Sequence, residues 1–166
     1  MSSKQEAVSS AAMPQHMAVS LRLTVEASYI ESEAMPPSQG KDIQMKHSEG
    51  FLKLVDEAKS RIKEVTVADT RDRLVANTAA RLIDVREDDE WRAGHAAGAE
   101  HLGKGIIERD IEASVPDKAT EVILYCGGGY RSALAADVLQ QMGYTNVWSM
   151  AGGWKAWKDS GAPVEG

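Results

Sequence analysis

The chain of 166 residues contains one cysteine, Cys126, so no disulfide can close within it and no cysteine cluster can hold a metal. If that thiol does chemistry, its partner must come from outside. No apolar run approaches the roughly 20 residues that cross a bilayer, and the N-terminus lacks the basic, apolar and small-residue succession of a secretory leader. These absences predict a cytoplasmic protein without a membrane partner. Positive charge is in deficit: 19 Lys and Arg stand against 25 Asp and Glu, and the net charge of −6 is spread along the chain. That balance argues against nucleic acid as a partner. What the chain does have is a hydrophobic fraction of 43% beside 27% charged residues, which excludes a wholly disordered or fibrous chain and fits one globular domain with a short extension.

Residues 1–44 alternate between Ser/Ala/Gln-rich stretches and the segment Met35-Pro36-Pro37-Ser38-Gln39-Gly40. They read as a poorly structured arm. A second reading makes Leu21 to Ile30 an added edge strand, since apolar and polar residues alternate there. The domain proper is expected over 45–166. From Ser48, the residues Phe51, Leu52, Val55, Ala58 and Ile62 recur at helical spacing with charge on the other face. Thr66 and Asp69 have the spacing of a capping box, which predicts a second helix from Val67 to Ala76. Arg81 to Val85, Glu121 to Tyr125 and Asn146 to Met150 are apolar runs of strand length. Helical patterns separate them over Glu87–Ala93, Gly105–Ile111 and Arg131–Met142. This alternation predicts an α/β domain with a mostly parallel sheet. Trp154 and Trp157 would share one face of a terminal helix and serve as core.

The informative segment is Cys126-Gly127-Gly128-Gly129-Tyr130-Arg131, directly after an apolar strand and directly before a helix. Ligands of open α/β sheets bind at the carboxyl ends of strands, where Cys126 falls. Three glycines remove every side chain between Cys126 and Tyr130, so the backbone can curl and turn several N–H groups toward one point. The positive end of the following helix adds to them, and such surroundings favour the thiolate of a neighbouring cysteine. A phosphate loop would instead end in Lys followed by Ser or Thr after a longer spacing. A buried packing cysteine would need neither the glycines nor the arginine.

With Asp84-Val85-Arg86-Glu87, the stretch Trp91…Gly94-His95…Gly98-Ala99…His101-Leu102 and the terminal Gly152-Gly153-Trp154…Trp157, this loop resembles a single-domain rhodanese, or thiosulfate sulfurtransferase, over residues 75–162. The resemblance implies a five-stranded, mostly parallel sheet with helices on both faces. It also implies a cysteine that takes a sulfane sulfur from a small donor such as thiosulfate, carries it as a persulfide and passes it to a thiol, cyanide or a protein thiol. No cofactor is implied. By matching position Cys126 is the nucleophile, and Gly127, Gly128, Gly129, Tyr130 and Arg131 form the substrate cradle. Many thiosulfate-using members carry a basic residue inside the loop; here only glycines and Tyr130 precede Arg131. Asp88 stands where the family often has proline.

Asp84 and Arg86 end the first predicted strand on the side of Cys126, either bracing the loop through an Asp84–Arg131 pair or holding two loops together structurally. His95 and His101 could ligate metal by residue type, but no third ligand accompanies them at a fixed spacing, so no metal site is expected. Two competing functions remain. A cysteine-dependent phosphatase or arsenate reductase needs five residues between Cys and Arg, whereas this loop has four, with Ser132 where that arginine would fall. A non-catalytic binding module of the same fold would not need the intact thiol site.

Overall fold

Val122-Ile123-Leu124-Tyr125 is apolar at every position because both faces of the strand it forms are covered. In the computed structural model of the protein, which describes residues 47–166, that strand is the middle one of five. The strands are β1 (Lys63–Val65), β2 (Arg81–Asp84), β3 (His95–Ala96), β4 (Glu100–His101), β5 (Val122–Tyr125), β6 (Val147–Met150) and β7 (Val164–Glu165). The main sheet has the order β1-β6-β5-β2-β4, every neighbouring pair parallel, while β3 and β7 make a separate antiparallel ribbon. The α/β architecture and the five-stranded sheet agree with expectation. Strands β1 and β4 have no period readable in the sequence, being three and two residues of mixed polarity. The 1–44 arm, with the alternating stretch over 21–30, lies outside the described residues.

The helices are α1 (Glu49–Lys59), α2 (Val67–Ala76), α3 (Asp88–Arg92), α4 (Ile107–Ser114), α5 (Tyr130–Gln141) and α6 (Gly153–Asp159). Successive side chains of a strand point to opposite faces, so the sheet feeds two cores. Ile83, Val122, Leu124 and Val147 pack on one side with Ile107 and Ile111 of α4 and Ala135, Ala136 and Leu139 of α5. Leu82, Ile123, Tyr125 and Met150 pack on the other with Val67 of α2 and Trp157 of α6. Trp157 is therefore core, and Trp154 packs partly buried against the same cluster.

Local signals set the helix starts. Ser48 caps α1 by accepting the Phe51 N–H, and the Thr66–Asp69 capping box forms as its spacing predicts. The C-terminal side of α1 is anchored to α5 by Arg61, whose Nε and Nη2 each donate to the Asp137 carboxylate at 2.8 Å. The other end of α1 lies beside the loop after β5, where His47 and Phe51 meet Tyr130. No helix among the described residues is long and apolar enough to cross a membrane.

Candidate active site

Cys126 is the first residue beyond β5 and Gly129 caps α5, so the thiol sits between the carboxyl end of a strand and the amino end of a helix. Gly129 has φ +93°, a conformation that glycine adopts without strain. It lets the loop turn back so that the Gly129 N–H donates to Cys126 Sγ at 3.2 Å. The Ser132 hydroxyl lies 3.7 Å from the same sulfur, and it is itself 2.9 Å from the Ser149 hydroxyl of β6. All three side chains are buried. The two serines form a short polar relay beneath the sulfur. Sequence reasoning misses both: Ser132 carries no signal beyond standing where a phosphatase arginine would fall, and Ser149 sits 17 residues further on in an apolar run.

The loop is held from the other side by α6. Trp154 N–H donates to the Cys126 carbonyl at 2.6 Å and Lys155 N–H to the Gly127 carbonyl at 3.1 Å. This approach is open only because residue 153 is glycine. A Cβ there would overlap the Cys126 carbonyl oxygen and come within 3.0 Å of the carbonyl carbons of Cys126 and Gly127. The Gly152-Gly153-Trp154 motif is thus part of the site as well as of the core.

Arg131 points away from its expected partner. Its two Nη groups donate to Glu90 Oε2 at 2.6 Å and Oε1 at 2.8 Å, a bidentate pair with a carboxylate of α3. Glu90 also accepts the Glu87 N–H at 3.2 Å. The bond from Arg131, against partial burial, holds the Glu90 carboxyl below the usual carboxylate range, and in return Glu90 raises Arg131 above its ordinary value. The Asp84–Arg131 pair is not formed. Asp84 instead takes Arg86, whose Nε lies 3.0 and 2.9 Å from its two oxygens and whose Nη2 donates to Oδ2 at 2.6 Å. Arg86 Nη2 also donates to the Gly94 carbonyl at 2.7 Å, and the guanidinium lies 4.8 Å from the centre of the Trp154 ring. The reason for the mismatch is reach: two residues apart at a strand end, Asp84 and Arg86 close a local pair, whereas Arg131 lies on the helix facing α3.

Burial opposes a charged Arg86, yet the pair with Asp84 wins and its guanidinium is raised above its ordinary value. Both side chains are nearly inaccessible, at 3% and 0%. Their role is to tie the end of β2 to the Gly94 turn and to Trp154. Tyr125, next to Cys126, accepts the Ala96 N–H at 3.0 Å, and burial pushes its phenol upward. His95 and His101 both stack on Trp91, with ring centres 3.4 and 5.0 Å away.

Cys126 opens into a cavity of about 740 Å³ lined by the loop, by Glu90 and Lys155, and by His47 and Phe51 at the start of α1. Tyr130, Gly127, Gly128 and Arg131 are the loop residues that line it with Cys126. The six loop residues named from sequence follow one another around this space, while Asp84 and Arg86 pair with each other and reach the Gly94 carbonyl and the Trp154 ring.

The family described as a rhodanese-like domain matches residues 54–160. Thiosulfate sulfurtransferase PspE of Escherichia coli is 38% identical over 77 residues, which make up 46% of this chain and 73% of that protein. Among solved structures, the polysulfide-sulfur transferase homodimer of Wolinella succinogenes superposes with a TM-score of 0.62 at 28% identity, covering 70% of this chain and 87% of its own. A Rhodopseudomonas palustris protein of unknown function, described as a possible tyrosine phosphatase, reaches the same TM-score at 29% identity, covering 80% of this chain and 100% of its own. The chain spans 63% and 60% of the length of two curated relatives it also matches, from Schizosaccharomyces pombe and Bacillus subtilis.

Proposed function

The chain belongs to the rhodanese-like domain family, and we propose that it is a sulfurtransferase that carries sulfane sulfur as a persulfide on Cys126. One observation carries the reading: a single cysteine whose sulfur accepts a backbone N–H at the head of a helix and opens into a cavity. Donors aimed at a sulfur stabilise negative charge on it, and the positive end of α5 acts in the same sense.

The reaction has two halves. The Cys126 thiolate attacks the outer sulfur of a donor such as thiosulfate; a new S–S bond forms, the donor's S–S bond breaks, and sulfite leaves with the electron pair. A thiolate or cyanide then attacks the outer sulfur of the Cys126 persulfide, and the pair returns to Sγ. Gly129 N–H and the Ser132 hydroxyl favour the charged sulfur at the start and at the end of this cycle. With no second cysteine in the chain, the acceptor comes from outside, as a small thiol, cyanide or a protein thiol.

The phosphatase reading draws on the loop cysteine followed by an arginine and on the description of the R. palustris neighbour. Four residues separate Cys126 from Arg131, and the guanidinium is bound to Glu90, so both the length of the ring and its cation are committed elsewhere. The test is intact mass. Donor alone should add one sulfur atom to Cys126, cyanide should remove it, and Cys126→Ser should never acquire it. No adduct with thiosulfate or polysulfide, together with turnover of an aryl phosphate, would replace this reading with the phosphatase. No adduct and no hydrolysis would favour a binding module.

A further inference from the structure

The cavity in front of Cys126 is walled on one side by three rings. His47 and Phe51 have centres 5.0 Å apart, His47 and Tyr130 4.7 Å, and Phe51 and Tyr130 6.1 Å, all within the range of attractive aromatic contact. Each ring is partly exposed and lines the cavity. Two of the three, His47 and Phe51, lie ahead of the 54–160 stretch that the family covers.

The charges around the cavity are already answered. Arg131 spends both Nη groups on Glu90, which lines the same space, and Lys155 Nζ lies 2.7 Å from Asp159 at a largely exposed position. The volume of about 740 Å³ lies within the roughly 300–1,000 Å³ of pockets that hold organic ligands and is far larger than a five-atom oxyanion needs.

We infer that His47 and Phe51, with Tyr130, select an organic thiol with an apolar or aromatic body as the sulfur acceptor of Cys126. The inference rests on the sulfurtransferase reading and names its second substrate. The body of the thiol lies on the rings and excludes water there, which brings its sulfur to the floor of the cavity. Its thiolate attacks the outer sulfur of the Cys126 persulfide; the new S–S bond forms on the acceptor, the bond to Sγ breaks, and the electron pair stays on Cys126. An organic persulfide leaves, and nothing is oxidised or reduced beyond this exchange.

The experiment uses the full chain, loaded with sulfur by polysulfide and freed of excess, then mixed with phenylmethanethiol or 2-mercaptoethanol. The readout is the concentration dependence of sulfur loss from Cys126. Phenylmethanethiol should discharge the protein at least tenfold more efficiently. Phe51→Ala and His47→Ala should each shrink that ratio severalfold, and the double variant about tenfold or more. Phe51→Leu, which keeps apolar bulk, should fall between. A wall that only staples α1 to the loop would slow both thiols alike and leave the ratio unmoved, and this result would overturn the inference. So would equal discharge by the two thiols in the unaltered chain. If the protein loads sulfur and cyanide removes it while the thiols react alike, only the acceptor inference fails. If polysulfide and thiosulfate leave no sulfur on Cys126, the sulfurtransferase reading fails and takes this inference with it.

Discussion

Replacing Gly153 with alanine should damage stability and sulfur loading together. Residue 153 has φ +52°, which costs an L-residue roughly 1–2 kcal/mol. The added Cβ would overlap the Cys126 carbonyl oxygen, so the start of α6 must withdraw from the loop. Withdrawal breaks the bonds from Trp154 N–H to Cys126 and from Lys155 N–H to Gly127. Each is worth about 1 kcal/mol net, and more where a buried carbonyl is left bare. The whole effect is about 3–5 kcal/mol, a large part of an ordinary domain's stability. With a slope of about 2 kcal/mol per molar, the urea midpoint should fall by about 2 M. Gly161 provides the control. Its φ is +69°, but nothing lies within 4 Å of its added Cβ, so Gly161→Ala should show only the backbone cost of about 1–2 kcal/mol. The assay is urea unfolding of both variants, with the rate of sulfur loading on Cys126 measured under folding conditions. If Gly153→Ala costs no more than Gly161→Ala and loads sulfur at the parent rate, the brace assigned to α6 is wrong.

Asp84→Ala leaves the Arg86 guanidinium buried at 3% exposure without its carboxylate and should cost about 3–5 kcal/mol in urea unfolding; a loss under about 1 kcal/mol would show that the pair is not holding the end of β2. The Glu90–Arg131 pair sets a pH dependence. Because the folded carboxyl is held below its unfolded value, its contribution is complete above the ordinary carboxylate range near 4.3 and is lost as pH falls through the folded value. Glu90→Gln should therefore be less stable than the parent at pH 7, and the gap should close toward pH 3. A gap of constant size across that span would assign the loss to packing instead of charge.

Much of the architecture was legible locally. The strand cores around Leu82, Ile123 and Val147 are apolar runs, the Thr66–Asp69 box announces α2 at its observed start, and the strand–triglycine–helix order around Cys126 places the thiol where it is found. These features depend on neighbours within a few residues, so composition and period suffice to read them.

The identity of the groups that surround Cys126 is a different matter. Glu90 reaches Arg131 across 41 residues, Ser149 reaches Ser132 across 17, and Trp154 N–H meets the Cys126 carbonyl only after β6 has been laid beside β5. Phe51 belongs to a helix whose period marks a buried face but not the neighbour it buries against. Asp84 suggests a partner for Arg131 because its strand ends on the side of the sheet where Cys126 lies, yet the shorter reach to Arg86 captures it. Residue type and spacing determined the nucleophile, its loop and the elements on either side. Which carboxylate, hydroxyl and rings face the sulfur was decided by the β1-β6-β5-β2-β4 order, because that order sets which distant segments lie side by side and no local period encodes it.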